Sequence, residues 1–191
     1  MGEEGFDPRA VANFLLDARD FLGLATTQIE LQKLLYFSHE AFLLRTRLHL
    51  VSGYFEAWQY GPVHPVVYSS FKASKGQPIT NRATSRNIHT GEINQVRPLD
   101  DLESVRHVTE TVARLSGLSA GQLIDLSHAT GGPWHSTVES AKKSVALGLR
   151  ITDDVILQSR PHSMLMREGQ PAVFKGRVPI DETPLTRNRS R

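Results

Sequence analysis

Histidine and carboxylate side chains are the first candidates for chemistry in this sequence, because together they bind metal ions. The eight histidines are scattered and none forms an i, i+4 pair with another: His39, His49, His64, His89, His107, His128, His135 and His162. His39 and Glu40 begin the zinc-binding pattern HExxH, but Leu43 stands where the second histidine belongs. The chain has no cysteine, so a thiolate zinc site and a disulfide framework are both excluded. We therefore predict no metal ion and no cofactor.

A nucleophilic serine is the next possibility, since residues 117–121 read GLSAG and match the hydrolase pattern GxSxG. That motif needs a strand before the serine, whereas an apolar helical pattern precedes Ser119, which is better explained as a helix N-cap. The carboxylate pairs Asp100–Asp101 and Asp153–Asp154 also stand where caps are expected, and no phosphate-binding loop is present. The sequence predicts a protein that is not an enzyme, and a hydrolase using Ser119 is the third hypothesis.

The two helices predicted on either side of Gly117 resemble the helix pair of a DNA-binding domain. A regulator that binds the DNA of its own operon is therefore the alternative function. Phosphate contacts need Lys or Arg, but Gln122, Asp125 and His128 give the second of these helices no basic face. The net charge is only +2, and the basic excess is concentrated near the C-terminus, at Lys175, Arg177, Arg187, Arg189 and Arg191. Nucleic acid is therefore an unlikely partner, and a protein-binding module is the leading class.

Length and composition indicate the number of domains and the class of protein. The 191 residues suffice for one domain with a tail, and 39% of them are hydrophobic. Residues 1–4 include two glutamates where a secretory signal would be basic, and no apolar run is long enough to span a bilayer. We expect a cytoplasmic protein without a membrane partner.

Two helical patterns open the chain. Asp7 followed by Pro8 is suited to begin the first helix. Thr27 and Glu30 have the spacing of a capping box, which predicts a second helix from there to about Leu48. Because this second segment is apolar nearly all round, we expect it to be a buried central helix against which the others pack.

Residues 52–71 concentrate the aromatic side chains, with one of the two tryptophans and three of the four tyrosines. Aromatic residues contribute the largest burial energies, so this segment is expected to pack in the core. We predict extended chain or a short strand over residues 50–60 and a turn at Gly61–Pro62. Pro65 then opens a third helix directly after His64.

The second half of the chain alternates between polar and helical patterns. Residues 74–98 are polar and rich in turn formers; a hairpin tip at 88–93 is one interpretation, but an irregular loop is preferred. Asp100 and Asp101 are predicted to cap a fourth helix, whose apolar stripe is Leu102, Val105, Val108, Thr109, Val112 and Leu115. Ser119 caps a fifth helix that ends near Thr130. A short helix follows from His135 to about Lys143, and a last one begins after Thr152.

These elements predict a mainly α fold, a compact helical domain around a buried central helix with at most a short β-strand or hairpin. The domain is expected to span residues 1–158 and to contain 74–98 as a polar loop insertion. Residues 159–191 are expected to form a C-terminal extension that is partly disordered.

Several short motifs, in this order, resemble the Panacea domain, the family of SocA-like antitoxins and proteolytic adaptors that also includes phage-associated proteins. They are KLLYF at 33–37, FEAWQYGPV at 55–63, Tyr68, LSH at 126–128 and Pro133–Trp134. The resemblance covers about residues 25–157, and the combination is more specific than any single motif. Residues 74–98 and the extension after Gln158 depart from the family pattern, and partner specificity is expected there because loops vary while scaffolds persist.

The resemblance implies an antitoxin that neutralises a cognate toxin protein by direct binding and, as in the SocA type, delivers it to a ClpXP-type protease. The partner-binding candidates are Lys33, Glu56, Trp58, Tyr60, His64, His128 and Trp134, although the aromatic ones are equally expected as core residues. Structural roles are expected for Gly61, Pro62, Tyr68 and Pro133. Three explanations remain open for Lys33 among its apolar neighbours: its ammonium reaches solvent, pairs with Glu56, or faces the partner. A structural role is favoured over contact with the partner.

Overall fold

The computed structural model describes residues 5–143 and 149–159. Within these ranges the chain forms seven α-helices, five short strands and one 3₁₀-helix, so the predicted mainly α fold is confirmed. The helices are α1 Pro8–Phe21, α2 Gln28–Thr46, α3 Pro65–Phe71, α4 Leu102–Leu115, α5 Ala120–Ser127, α6 Pro133–Lys143 and α7 Asp153–Gln158. The strands are β1 Phe55–Trp58, β2 Gly61–Val63, β3 Thr84–Arg86, β4 Ile93–Gln95 and β5 Arg150–Ile151, and the 3₁₀-helix is Lys72–Ser74.

Helix α2 is the centre of the fold, as predicted. It contacts α1, α3, α4, α5, α7 and β2, and its residues Leu34 to Phe37 are all fully buried. The capping box is present: the N–H of Glu30 donates to the Thr27 hydroxyl, and the N–H of Thr27 donates to the Glu30 carboxylate at 2.8 Å. A helix apolar nearly all round is stable because neighbours cover every face of it.

The aromatic segment builds a three-stranded antiparallel sheet in the order β2-β1-β5. The turn predicted at Gly61–Pro62 is wrong. The chain reverses at Gln59–Tyr60, and Gly61 and Pro62 lie in strand β2. Pro62 is compatible with a strand here because β2 is an edge strand, where the missing N–H leaves no sheet partner unpaired. Pro65 begins α3 directly after His64, as predicted.

The irregular loop preferred for the centre of residues 74–98 is wrong. Strands β3 and β4 form an antiparallel hairpin in which Thr84 pairs with Gln95. The strands are largely exposed, so no alternation of apolar residues marks them in the sequence. The base of the hairpin is fixed to α1, because the Asn13 amide donates to the Ala83 carbonyl at 3.0 Å and accepts from the Ala83 N–H at 2.8 Å.

The later helices begin at the predicted caps. The side chains of Asp101, Ser119 and Thr152 accept backbone N–H groups at the starts of α4, α5 and α7. Three details are wrong: Leu102, at 84% exposure, and Thr109 are exposed rather than part of the apolar stripe, and α6 begins at Pro133 rather than His135. The N1 position of a helix suits proline because its missing N–H would have no helical partner.

Two predictions concern the chain beyond these elements. In the described ranges, no helix combines the length and the apolarity that crossing a membrane requires. The predicted C-terminal extension, residues 159–191, lies outside the described residues except for Ser159.

Candidate functional site

Lys33 lies on the central helix with only 1% of its surface exposed. Its Nζ donates a hydrogen bond to the carbonyl of Pro62 in β2, at 2.9 Å. A buried ammonium is costly unless it is hydrogen-bonded, and this contact contributes to holding it inside the fold. The explanation in which the ammonium reaches solvent is therefore wrong, and the structural role is the one the geometry supports.

Gly61 is the position at which β2 passes closest to the central helix and to α5. A Cβ atom placed on Gly61 would lie 2.8 Å from Lys33 Cε and 2.3 Å from Ser127 Oγ. Its φ of +95° is also in the region that favours glycine. The motif therefore requires glycine here because there is no space for a side chain, and not because the chain turns at this residue.

Trp134 joins β1 to α6 through its indole N–H, and to the end of α5 through its ring. Trp58 Nε1 donates to the Glu56 carboxylate at 2.7 Å, and Trp134 Nε1 donates to the carbonyl of Trp58 at 2.9 Å. The His128 ring stacks on Trp134 with a centroid distance of 3.8 Å. The last turn of α5 and the first turn of α6 are thereby held against β1.

These contacts bring eight of the motif residues into one cluster, which we call the Lys33 cluster: Lys33, Glu56, Trp58, Gly61, Pro62, Ser127, His128 and Trp134. Burial, together with the nearby Lys33 ammonium, lowers the pKa of His128 to about 4. The imidazole is therefore neutral at pH 7. Its Nε2 is buried and has no hydrogen-bond partner among the described residues.

His64 is a predicted site residue that the fold places differently. It is 1% exposed, and its backbone N–H donates to Gln32 Oε1 at 2.8 Å. Its ring Nε2 lies 2.9 Å from the carbonyl of Ser52, and its ring meets that of Phe55 edge to face. These hydrogen bonds and this ring contact go to residues outside the Lys33 cluster.

Beside the cluster lies a pocket, which we call the Tyr60 pocket. Its open space is about 300 Å³ with the mouth included, and its lining is Gln28, Ile29, Gln32, Lys33, Trp58, Tyr60, Val63 and Tyr68. Trp58 is 9% exposed and packs edge to face on Tyr68 at 4.7 Å. Tyr60 and Tyr68 are half-buried in its lining.

Two glutamines of this pocket were missed by sequence reasoning. Gln28 and Gln32 are both 2% exposed, and the Gln28 amide donates to the carbonyl of Tyr68 at 3.1 Å. They stand four residues apart, hence on one face of α2. Polar residues at that spacing in a helix that is otherwise apolar all round are the signal that could have identified them.

The serine side chains at the two ends of α5 are used in local hydrogen bonds. The Ser127 hydroxyl donates to the carbonyl of Ile124 at 2.8 Å, so its proton is engaged within α5. Ser119 has the capping role predicted for it, with the Gln122 N–H donating to its side chain. In the part of the chain that the structure describes, no three histidine, aspartate or glutamate side chains are grouped to hold a metal ion.

Replacing Lys33 with methionine is expected to raise the pKa of His128 from about 4, because one of the two causes that lower it is removed. Burial, the larger cause, remains, so the pKa should stay below the ordinary histidine value of about 6.5. An NMR titration of the His128 ring measures this change directly. Lys72→Met removes the same charge from an exposed position and should leave that pKa unchanged; an equal shift in both variants would mean that Lys33 does not act locally.

The region that contains these motifs also matches known proteins. Residues 31–135 match the family model described as "Antitoxin SocA-like, Panacea domain", and this range contains every member of the Lys33 cluster. The chain is 42% identical over 153 residues to Antitoxin SocA of Caulobacter vibrioides strain NA1000 / CB15N, a match that covers 80% of this chain and 81% of that protein. No solved structure matches the chain. The predicted family is thus confirmed: this chain belongs to the SocA-like antitoxin family and carries its Panacea domain.

Proposed function

We propose that this protein is an antitoxin that neutralises a cognate toxin protein by binding it directly. The observation that carries this function is the 42% identity to Antitoxin SocA across four-fifths of both chains. The geometry is compatible with it, because the matched motifs build a fixed cluster in which the hydroxyl of Ser127 and both indole N–H groups are already occupied.

The predicted partner-binding residues divide into two groups by burial. Lys33 and His64 are 1% exposed and act from inside, by fixing β2 against the central helix. Glu56, Tyr60, His128 and Trp134 are half-buried, and Trp58 reaches the surface by its edge at 9% exposure. We assign the toxin contact to this second group, since half-buried Trp and Tyr side chains on a rigid base are typical of interface hot spots.

Co-expression tests the antitoxin role. The toxin candidate is the product of the adjacent reading frame, and its expression alone should arrest growth. Expression of this protein should restore growth, and the two chains should co-purify. If growth arrest persists when both are expressed, the antitoxin function is wrong.

The contact surface is tested by a matched pair of truncations. Tyr60→Ala is expected to weaken toxin binding at least tenfold, as expected for a hot-spot tyrosine. Tyr54→Ala removes an aromatic ring that is 38% exposed and lies over Arg150, away from the pocket lining, and should leave the affinity unchanged. Equal affinities for the two variants, measured by titration calorimetry, would place the toxin elsewhere.

Delivery of the bound toxin to a ClpXP-type protease is proposed on the family resemblance. Occlusion and delivery differ in the lifetime of the toxin, which only delivery shortens. Purified toxin mixed with ClpXP and ATP should disappear faster when this protein is added. A toxin that stays intact while its activity is blocked would leave occlusion as the whole mechanism.

The alternative of a DNA-binding regulator gains no support from the described residues. The helix that would enter the major groove, α5, has the sequence AGQLIDLS and contains neither Lys nor Arg. A gel shift with the promoter of its own operon at low salt should show no complex.

A further inference from the structure

The Tyr60 pocket contains a hydrogen-bond donor without a partner. Gln32 is 2% exposed, and its Oε1 accepts the backbone N–H of His64 at 2.8 Å. Because a backbone N–H can only donate, this bond fixes which branch of the amide is the oxygen. Nε2 is the other branch, it has no hydrogen-bond partner among the described residues, and Gln32 lines the pocket.

An unpaired donor at this depth is unusual, since the great majority of buried polar side-chain atoms in native proteins are hydrogen-bonded. The other residues around it offer little. Gln28 uses its amide N–H on the carbonyl of Tyr68, and the other lining residues are Lys33, Ile29, Val63 and three aromatic residues. The lining is thus largely apolar, and we call Gln32, whose Nε2 has no described hydrogen-bond partner, the floor of the pocket.

The dimensions of the pocket limit what can enter it. Its open space of about 300 Å³ includes the mouth, so the enclosed part is smaller. Small-molecule sites begin at about 300 Å³ and extend to ~1,000 Å³. A single side chain is therefore a better match than a cofactor or a nucleotide.

The charges beside the floor have opposite signs. Lys33 lines the pocket, and Glu56 accepts the indole N–H of Trp58, which forms one wall. Their effects on an incoming group partly cancel. The free donor on Gln32, rather than a net charge, then determines which side chain is selected.

We propose that the Tyr60 pocket receives one side chain of the bound toxin, with an apolar stem and a hydrogen-bond-accepting oxygen at its tip. Gln32 Nε2 donates to that oxygen, and the rings of Trp58, Tyr60 and Tyr68 pack on the stem. This role rests on the proposed function, which it extends by giving the position of an anchor site and the chemistry of its occupant.

Gln32→Glu is the decisive variant. One carboxylate oxygen can still accept the His64 N–H, while the donor at the floor becomes an acceptor that repels the incoming oxygen. The affinity for the purified toxin, identified by co-purification, is expected to fall about 10- to 100-fold in titration calorimetry. Gln95→Glu is the matched control: Gln95 is exposed in β4 and lies outside the pocket lining, so it brings in the same charge and leaves the floor unchanged.

A second variant removes the dependence on a buried carboxylate. Ile29 is half-buried in the pocket lining, near the start of α2, so Ile29→Arg narrows the entrance without altering Gln32. It should weaken toxin binding at least tenfold, whereas Gln95→Arg should not. If Gln32→Glu does not fold, Ile29→Arg decides alone. If the folded pocket variants bind the toxin with full affinity, the proposed role of the pocket is wrong and the antitoxin function still stands. If the wild-type protein itself does not bind the toxin, the antitoxin function is wrong.

Discussion

Replacing Trp58 with alanine is expected to lower the free energy of unfolding by about 3–5 kcal/mol, the range found for large aromatic side chains in cores. Trp58 is 9% exposed, packs on Tyr68, and donates its indole N–H to Glu56 at 2.7 Å. Truncation removes these contacts and leaves a cavity between β1 and α3. Since domains are typically stable by 5–15 kcal/mol, the loss is a large part of the total.

Urea unfolding followed by far-ultraviolet circular dichroism measures this change without depending on tryptophan fluorescence. Trp58→Phe is the control, because it retains most of the ring and loses only the indole hydrogen bond; its cost should be about 1–2 kcal/mol. A truncation that leaves stability unchanged but weakens toxin binding would contradict the expected loss and leave Trp58 with the interface role alone.

The helices of this fold could be predicted because their signals are local. The capping boxes at Thr27 and Ser119 and the Asp7–Pro8 start each lie within four residues, and the structure contains all three. The central helix was recognisable for a related reason: a helix apolar on every side has to be covered on every side.

The hairpin of β3 and β4 could not be predicted because its stability does not come from burying one face. Ile88 and Ile93 are 88% and 64% exposed, so the usual alternation of buried and exposed residues is missing. Its position depends instead on distant contacts, such as that between Arg82 and the carboxylates of Asp17 and Asp20.

The arrangement of the candidate site could not be predicted from the sequence. Glu56 was considered as a partner for Lys33, yet its described hydrogen bond goes to Trp58, and the Lys33 ammonium donates to a main-chain carbonyl. Sequence spacing cannot show this, because the choice depends on how closely β2 approaches α2. Gln32 was missed for the same reason: its importance appears only when its amide is seen at the floor of a pocket.

Replacing Gly61 with alanine is expected to lower the free energy of unfolding by about 4 kcal/mol, the sum of two costs of similar size. A backbone φ of +95° strains any residue with a side chain by about 1–3 kcal/mol. Overpacking of a filled interior adds about 1–3 kcal/mol. The added Cβ would stand 2.3 Å from Ser127 Oγ and 2.8 Å from Lys33 Cε, and both of these side chains are buried.

A second glycine separates these two costs. Gly91 has a φ of +74° in the exposed turn of the β3–β4 hairpin, and a Cβ placed on it would meet nothing within 4 Å. Gly91→Ala should therefore show the backbone strain alone, about 1–2 kcal/mol in chemical denaturation. Equal losses at Gly61 and Gly91 would mean that the close packing around Gly61 contributes nothing.

The contact with Ser127 can be tested by a double-mutant cycle. Ser127→Gly removes the atom nearest to the new methyl group, so the cost of Gly61→Ala should be smaller in that background than in the wild type by about 1 kcal/mol or more. Additive losses would place the strain on Lys33 instead. In that case Gly61→Ala disturbs the Lys33–Pro62 hydrogen bond. This bond fixes the strand that leads from Tyr60 to Val63, and both of these residues line the pocket. Toxin binding should therefore weaken together with stability.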